Sequence, residues 1–220
     1  MLSHWQGRRH TLVWVEPAAW RHLCERNPGA YPEQWAQAGR PVIVRRPLLQ
    51  DPTGEVPLGL PLPPSLGKKR LVLTLPPRAI VAVQPPPLLA DAQEHAPASW
   101  RTAIAEILAV APQVRAFGSL AWSALTGLPY LSPTSDLDLL FELGADSEGL
   151  LDRLRRVGKV AAAAPMRIDG ECVRQDGWAV NWQELADEAP EVLVKRFGPP
   201  LMQPRAAFLR GEAAPLAERL

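Results

Sequence analysis

From Ser135 to Leu143 the chain reads Ser-Asp-Leu-Asp-Leu-Leu-Phe-Glu-Leu, and this alternation allows few folds. Side chains on a strand alternate between faces, so Leu137, Leu139, Phe141 and Leu143 point one way. Asp136, Asp138, Leu140 and Glu142 point the other. An apolar stripe of that length needs a core beneath it, so the two aspartates are carried by a packed strand, Asp136 to Leu143, and not by a solvated loop. Seventeen residues before Asp136 stands Ser119, in the stretch Phe117-Gly118-Ser119. A Gly-Ser turn that opens a helix offers unpaired backbone N–H groups to phosphate oxygens.

The rest of the chain organises around this pair of features. Ten of the twenty-five prolines fall between Asp51 and Ala90. The cluster Gln84-Pro85-Pro86-Pro87 cannot continue a helix or a central strand. The polar stretch Asp91 to Ser99 follows it, so we divide the chain into residues 1–90 and 91–220. In the first part the apolar runs Leu12–Val15, Pro41–Val44 and Leu71–Leu75 predict a small β-rich domain with one helix near Pro17 to Glu25. Trp14, Trp20 and Trp35 are expected to pack it. The second part alternates helix and strand. Ser99 is the expected N-cap of a helix carrying Ile104, Ile107, Leu108 and Ala111 on one face. A strand over Gln113 to Phe117 precedes a helix over Ser119 to Leu125, ended by Gly127 and Pro129. After the Asp136–Leu143 strand come an amphipathic helix over Ser147 to Val157, a strand over Met166 to Val173 and a short helix over Asn181 to Asp187. The expected fold class is α+β, a β-rich N-terminal domain followed by a mixed sheet flanked by helices.

The i, i+2 spacing sets the Asp136 and Asp138 backbones about 6.6 Å apart on one face. Two carboxylates so placed suit a pair of divalent cations about 3.5–4 Å apart. Hard oxygen donors with no His or Cys nearby select Mg²⁺ or Mn²⁺. Such an arrangement serves phosphoryl transfer, where the transition state is mainly a charge to be stabilised. A third carboxylate is expected from Met166 to Val173, which offers Asp169 and Glu171 on one face. Asp169 is favoured, because Gly170 leaves space beside it; Glu171 is the alternative.

Composition excludes several classes. With 47% apolar residues the chain is not disordered by default. No apolar run approaches the roughly 18 residues of a membrane span, and the N-terminus lacks a signal-peptide pattern. Cys24 and Cys172 lie far apart without CxxC spacing, so a reduced, cytoplasmic protein without disulfide or zinc is expected. The net charge is +1, but residues 1–90 hold eleven Lys/Arg against five Asp/Glu and the remainder thirteen against eighteen. The basic part either meets a polyanionic ligand or attracts the acidic part.

The segment Phe117-Gly118-Ser119-Leu120-Ala121-Trp122, Leu125-Thr126-Gly127-Leu128-Pro129-Tyr130-Leu131 and Ser135-Asp136-Leu137-Asp138-Leu139-Leu140 resembles the phosphoribosyl-dephospho-CoA transferase family of malonate decarboxylase. This is a holo-acyl-carrier-protein synthase of the polymerase-β-like nucleotidyltransferase superfamily. The Leu-Thr-Gly-Leu-Pro-Tyr insert is the specific part. Weaker similarity covers Val44-Arg45-Arg46, Val56 to Leu60, Gly67-Lys68-Lys69-Arg70, Asp169-Gly170-Glu171, Val180-Asn181-Trp182 and Val192 to Lys195. The resemblance implies that triphosphoribosyl-dephospho-CoA is attacked by a serine of an apo acyl-carrier protein, with loss of pyrophosphate. It implies Gly118 and Ser119 on the triphosphate, Asp136 and Asp138 on two metal ions, and Asp169 completing the carboxylate set. No nucleic-acid or membrane partner is implied.

Arg45, Arg46, Lys68, Lys69, Arg70 and Lys195 are the candidate phosphate contacts, and basic residues equally suit an acidic carrier protein. Lys68-Lys69-Arg70 is equally readable as a solvated turn. Trp122 and Trp178 are read as packing residues before adenine-stacking ones. His10 and His95 receive no role. Two other readings remain: a same-fold enzyme moving AMP to a small molecule or protein, and a catalytically dead binding or antitoxin module. The intact Gly118, Ser119, Asp136 and Asp138 count against the latter.

Overall fold

A computed structural model describes residues 9–144, 147–187 and 189–212. The chain divides into two units. The first comprises residues 1–87 and 117–133, the second 88–116 and 134–220. Our sequence division places 117–133 in the second part, whereas by packing this segment belongs with the first.

The first unit is built on a five-stranded antiparallel sheet in the order β4-β3-β2-β1-β5. Its strands are β1 (Leu12–Val15), β2 (Val42–Val44), β3 (Val56–Pro61), β4 (Arg70–Leu75) and β5 (Ile80–Gln84), with helix α1 (Pro17–Arg26) after β1. β3 is a central strand that carries Pro57 and Pro61, which is why its sequence does not announce it. The ladder from the three-residue β2 covers only Leu58 and Gly59, so neither proline is asked for an N–H there. Val56, Leu58 and Leu60 are buried, and the prolines take the other face. Trp20 and Trp35 are fully buried, and their indole N–H groups donate to the carbonyls of Pro32 and Pro41, each at 2.9 Å. Trp14 is half-buried and donates to Gly39 O at 2.8 Å. Burying the rings while pairing the N–H is what makes tryptophan usable in so small a core.

In the second unit a short helix α2 (Leu89–Ala92) leads to α3 (Arg101–Val110). Ser99 does not cap α3: residues 98–100 form a 3-10 turn that carries Trp100 into the core and runs straight into the helix. Ile104 and Ile107 are buried as the periodicity predicts. Strand β6 (Arg115–Phe117) follows, and then α4 (Gly118–Thr126), which packs with the first unit. β7 (Leu137–Glu142) and β8 (Ile168–Val173) are parallel, joined by α5 (Ser147–Ala163). β9 (Ala179–Asn181) is antiparallel to β8 and completes the sheet order β6-β7-β8-β9. Helix α6 (Trp182–Ala186), the hairpin of β10 (Glu191–Val194) and β11 (Leu201–Pro204), and α7 (Arg205–Leu209) close the described chain.

α5 runs six residues beyond the expected end at Val157, because Ala161 to Ala163 sustain it and Gly158 does not break it. A Cβ on Gly158 would lie 3.8 Å from the Trp182 ring, so the glycine marks where α6 packs closely on α5. Among the described residues no helix is long and apolar enough to cross a membrane. Cys24 and Cys172 are both free thiols.

Candidate active site

The apolar stripe read from the sequence holds β7 in place: Leu137, Leu139, Phe141 and Leu143 are all buried. That leaves Asp138 to the other face, while Asp136, expected to start the strand, stands one residue before it; both are partly exposed. The parallel ladder to β8 sets Leu137 opposite Ile168 and Asp138 opposite Asp169. Gly170 makes this approach possible. A Cβ there would stand 2.1 Å from the carbonyl oxygen of Leu139, and its φ of 155° suits only glycine. The glycine beside Asp169 therefore leaves room for the neighbouring strand's backbone.

Arg167, one residue before β8, joins the carboxylates. Its guanidinium donates to Asp169 Oδ2, and its Nε lies 3.6 Å from Asp136 Oδ2. The arginine side chain is 67% exposed, against 36% for Asp136 and 29% for Asp169. The hydrogen bond it donates to Asp169, followed by the charges of Asp169, Asp136 and Asp138, raises the already high pKa of Arg167. All three aspartates are thus felt by one cation. Asp169 Oδ1 accepts from Gly170 N at 2.8 Å and from Asn181 Nδ2 at 3.2 Å.

Glu171, the alternative third carboxylate, is nearly buried and accepts from Lys195 Nζ at 2.9 Å. Lys195 lies just past β10 and pairs backbone to backbone with Ala179 of β9, so the ion pair ties β8 to the β10 segment across β9. Cys172, the next residue on β8, is fully buried, and burial followed by the Glu171 charge pushes its thiol pKa up, which disfavours the thiolate.

Among the described residues no three of His, Cys, Asp and Glu close into a ready-made metal cluster. The donor chemistry nonetheless fits Mg²⁺ or Mn²⁺: the donors are hard carboxylates, and they already draw a cation, the Arg167 guanidinium, to Asp136 and Asp169.

The other expected residues fall in the first unit. Gly118, at φ 63°, opens the nine-residue α4. The N-cap residue Phe117 supplies no side-chain hydrogen bond, so no cap side chain takes up the N–H groups of the first turn. Gly127, at φ 68°, ends the helix as expected. The insert after it has a packing role: Tyr130 is buried, stacks on Trp122 with ring centroids 5.9 Å apart, and donates from its hydroxyl to Pro61 O at 2.9 Å. Burial raises the Tyr130 pKa, so it is a neutral donor.

Arg45 is consumed internally. Its Nη atoms meet Asp51 at 2.6 and 2.7 Å, Nε donates to Leu58 O, and Nη1 also reaches Arg46 O. Arg46 is half-buried beside it, whereas Lys68, Lys69 and Arg70 are all exposed, with Lys68 in a left-handed turn at φ 51°. Trp178 is half-buried and carries the Arg174 and Arg196 guanidinium groups against its ring, 5.1 and 5.7 Å from the centroid. Sequence reasoning missed Arg167 and Asn181. Arg167 shares the i, i+2 spacing with Asp169, and Asn181 precedes a helix as an N-cap should, so both signals were present.

A carboxylate face on a mixed sheet, with an open helix start on the chain before it, defines an α+β protein equipped for charged substrates and nothing narrower. Comparison with known proteins supplies the rest. Residues 8–86 match the family model "Phosphoribosyl-dephospho-CoA transferase MdcG N-terminal domain" and residues 88–206 that of the C-terminal domain. A phosphoribosyl-dephospho-CoA transferase of Bradyrhizobium diazoefficiens is 40% identical over 212 residues, 92% of each chain. One of Xanthomonas campestris pv. campestris strain 8004 is 39% identical over 208 residues, 91% of this chain and 95% of its own. No solved structure matches. The chain belongs to the phosphoribosyl-dephospho-CoA transferase family and is a transferase enzyme.

Proposed function

We propose that this protein moves the phosphoribosyl-dephospho-CoA group from 2'-(5''-triphosphoribosyl)-3'-dephospho-CoA to a serine of the apo acyl-carrier protein of malonate decarboxylase. The observation that carries this is the alignment of Asp138 on β7 with Asp169 on β8, in a chain 40% identical to a phosphoribosyl-dephospho-CoA transferase over 92% of its length. The serine Oγ forms a new bond to the α-phosphorus. The bond from that phosphorus to the bridging oxygen of the β-phosphate breaks, and pyrophosphate carries away the electron pair. The serine proton passes to a carboxylate, for which Asp169 is our choice.

Asp136 and Asp138, with Asp169, would hold Mg²⁺ or Mn²⁺, one or two ions. When bound, the metal supplies charge to the leaving pyrophosphate and acidifies the attacking hydroxyl. The chain's own part is to fix the carboxylates on a rigid strand pair, so that little reorganisation accompanies the reaction. Gly118 and Ser119, at the open first turn of α4, are assigned to the triphosphate. The exposed Lys68, Lys69 and Arg70 are assigned to substrate phosphate or to an acidic carrier surface, and the first unit to substrate and carrier recognition. The polymerase-β-like nucleotidyltransferase fold and a cytoplasmic location complete the proposal.

The experiment is a mass measurement on apo carrier protein incubated with enzyme, Mg²⁺ and either triphosphoribosyl-dephospho-CoA or ATP. The carrier is expected to gain the mass of the prosthetic group with the first donor only. Faster addition of AMP from ATP would replace this proposal with the AMP-transfer reading.

A further inference from the structure

We infer that Asn181 is a positioning residue that commits one oxygen of Asp169 and leaves the other for chemistry, an inference that rests on the role given to Asp169 above. Asn181 ends β9 and begins α6. Its Oδ1 accepts from Gln183 N at 2.8 Å, the bond of a helix N-cap. A carboxamide has one acceptor end and one donor end. With Oδ1 held by the helix, the NH₂ has to face the other way, and there it donates to Asp169 Oδ1 at 3.2 Å. The antiparallel ladder sets Asn181 opposite Glu171, so Asp169 is its diagonal neighbour on the same sheet face.

The two oxygens of Asp169 are therefore held by groups of different freedom. Oδ1 takes two N–H bonds, one from the strand's own Gly170 at 2.8 Å and one from an amide locked by a helix cap. Oδ2 meets the Arg167 guanidinium, two-thirds exposed on a long flexible stem. A substrate phosphate or a metal ion can displace an exposed arginine far more cheaply than a backbone amide, because the arginine has water and other anions to turn to. Oδ2 is the working oxygen, and Asn181 fixes its direction. Partners of this kind, one step removed from the reacting group, typically change activity by about 10- to 100-fold when lost.

The cap and the donor can be separated by mutation, since serine caps a helix about as well as asparagine but has no amide to reach Asp169. Asn181→Ser is expected to keep the melting temperature of the metal-free protein in EDTA within about 3 °C of the parent. It should lower kcat about tenfold with KM for the triphosphoribosyl donor changed less than about twofold. Asn181→Asp also keeps a cap but turns an acceptor toward Asp169 Oδ1, and should lower kcat further. In an Asp169→Asn background, adding Asn181→Ser should change the residual kcat by less than about twofold, because the effect runs through Asp169. Full kcat in Asn181→Ser beside a crippled Asp169→Asn overturns the inference, as does an undiminished Asn181→Ser effect in the double variant. Wild-type kcat in Asp169→Asn overturns instead the assignment of Asp169 itself.

Discussion

Each unit contains an arginine held by aspartate, and the two pairs are built for opposite ends. In the first unit Arg45 and Asp51 have side chains 14% and 12% exposed and meet through two hydrogen bonds, with further arginine donors closed on Leu58 O and Arg46 O. Asp51 also accepts from Leu48 N at 2.6 Å, fixing the turn after β2. Every contact there binds chain to chain. In the second unit Arg167 stands 67% exposed between Asp136 and Asp169 and closes on no described backbone carbonyl. Ion pairs with many fixed partners hold a fold together, and exposed ones hold little. The first arrangement is a clasp, the second an exposed counter-charge over the carboxylates to which we assign the chemistry.

The largest effect should come from breaking the second arrangement at its acids. Asp136→Ala or Asp138→Ala is expected to lower kcat by on the order of a thousandfold, the several kcal/mol that a lost charge-stabilising ligand costs. The melting temperature should barely move, since neither side chain is buried. Activity surviving either change would remove the carboxylate assignment and, with it, the contrast between the two pairs.

Arg45→Ala should do the reverse. Leaving Asp51 and two carbonyls without their donor is expected to cost about 3 kcal/mol in urea unfolding, with activity at low temperature retained by the folded fraction. A pH series sharpens the point. The hydrogen bond from Arg45 is the main cause that lowers the pKa of Asp51 below its ordinary value. A carboxylate depressed in the folded state contributes stability above its unfolded pKa and loses it as pH falls through the folded one. Stability should therefore be steady above about pH 5 and decline below about pH 4, and Asp51→Asn should flatten that decline while lowering the plateau. An unchanged acid slope would show that the clasp is not what the first unit loses in acid.

The smallest effect on stability is expected from Arg167→Gln, whose urea unfolding midpoint should match the parent's, because the group it removes is exposed and screened. A clear drop in that midpoint would make Arg167 a clasp like Arg45.

Much of the fold was legible because it rests on local patterns. The period-two stripe Leu137, Leu139, Phe141 predicted β7 and its buried face, and Gly127 predicted the end of α4. β3 was not legible, since Pro57 and Pro61 forbid a regular central strand and only the shortness of β2 admits them. Ser99 looked like a cap, but burying Trp100 drew it into a 3-10 turn. At the candidate site, the carboxylates could be named from spacing alone. Between Asp169 and Glu171 alternation alone did not choose, since it puts both on one face; the sequence favoured Asp169 through the space beside Gly170, and the fold adds that Glu171 is paired with a lysine from beyond β10.

The sequence by itself determined which residues carry charge on which strand face, because side-chain direction follows from backbone period without reference to neighbours. Its similarity to known transferases determined the family. Only the tertiary structure decided which charges are spent and which are available. That depends on partners distant in the chain: Asp51 and Leu58 for Arg45, Lys195 for Glu171, Asn181 and Arg167 for Asp169. A charged group's energy is set by what surrounds it in space, and no local pattern in the chain encodes those surroundings.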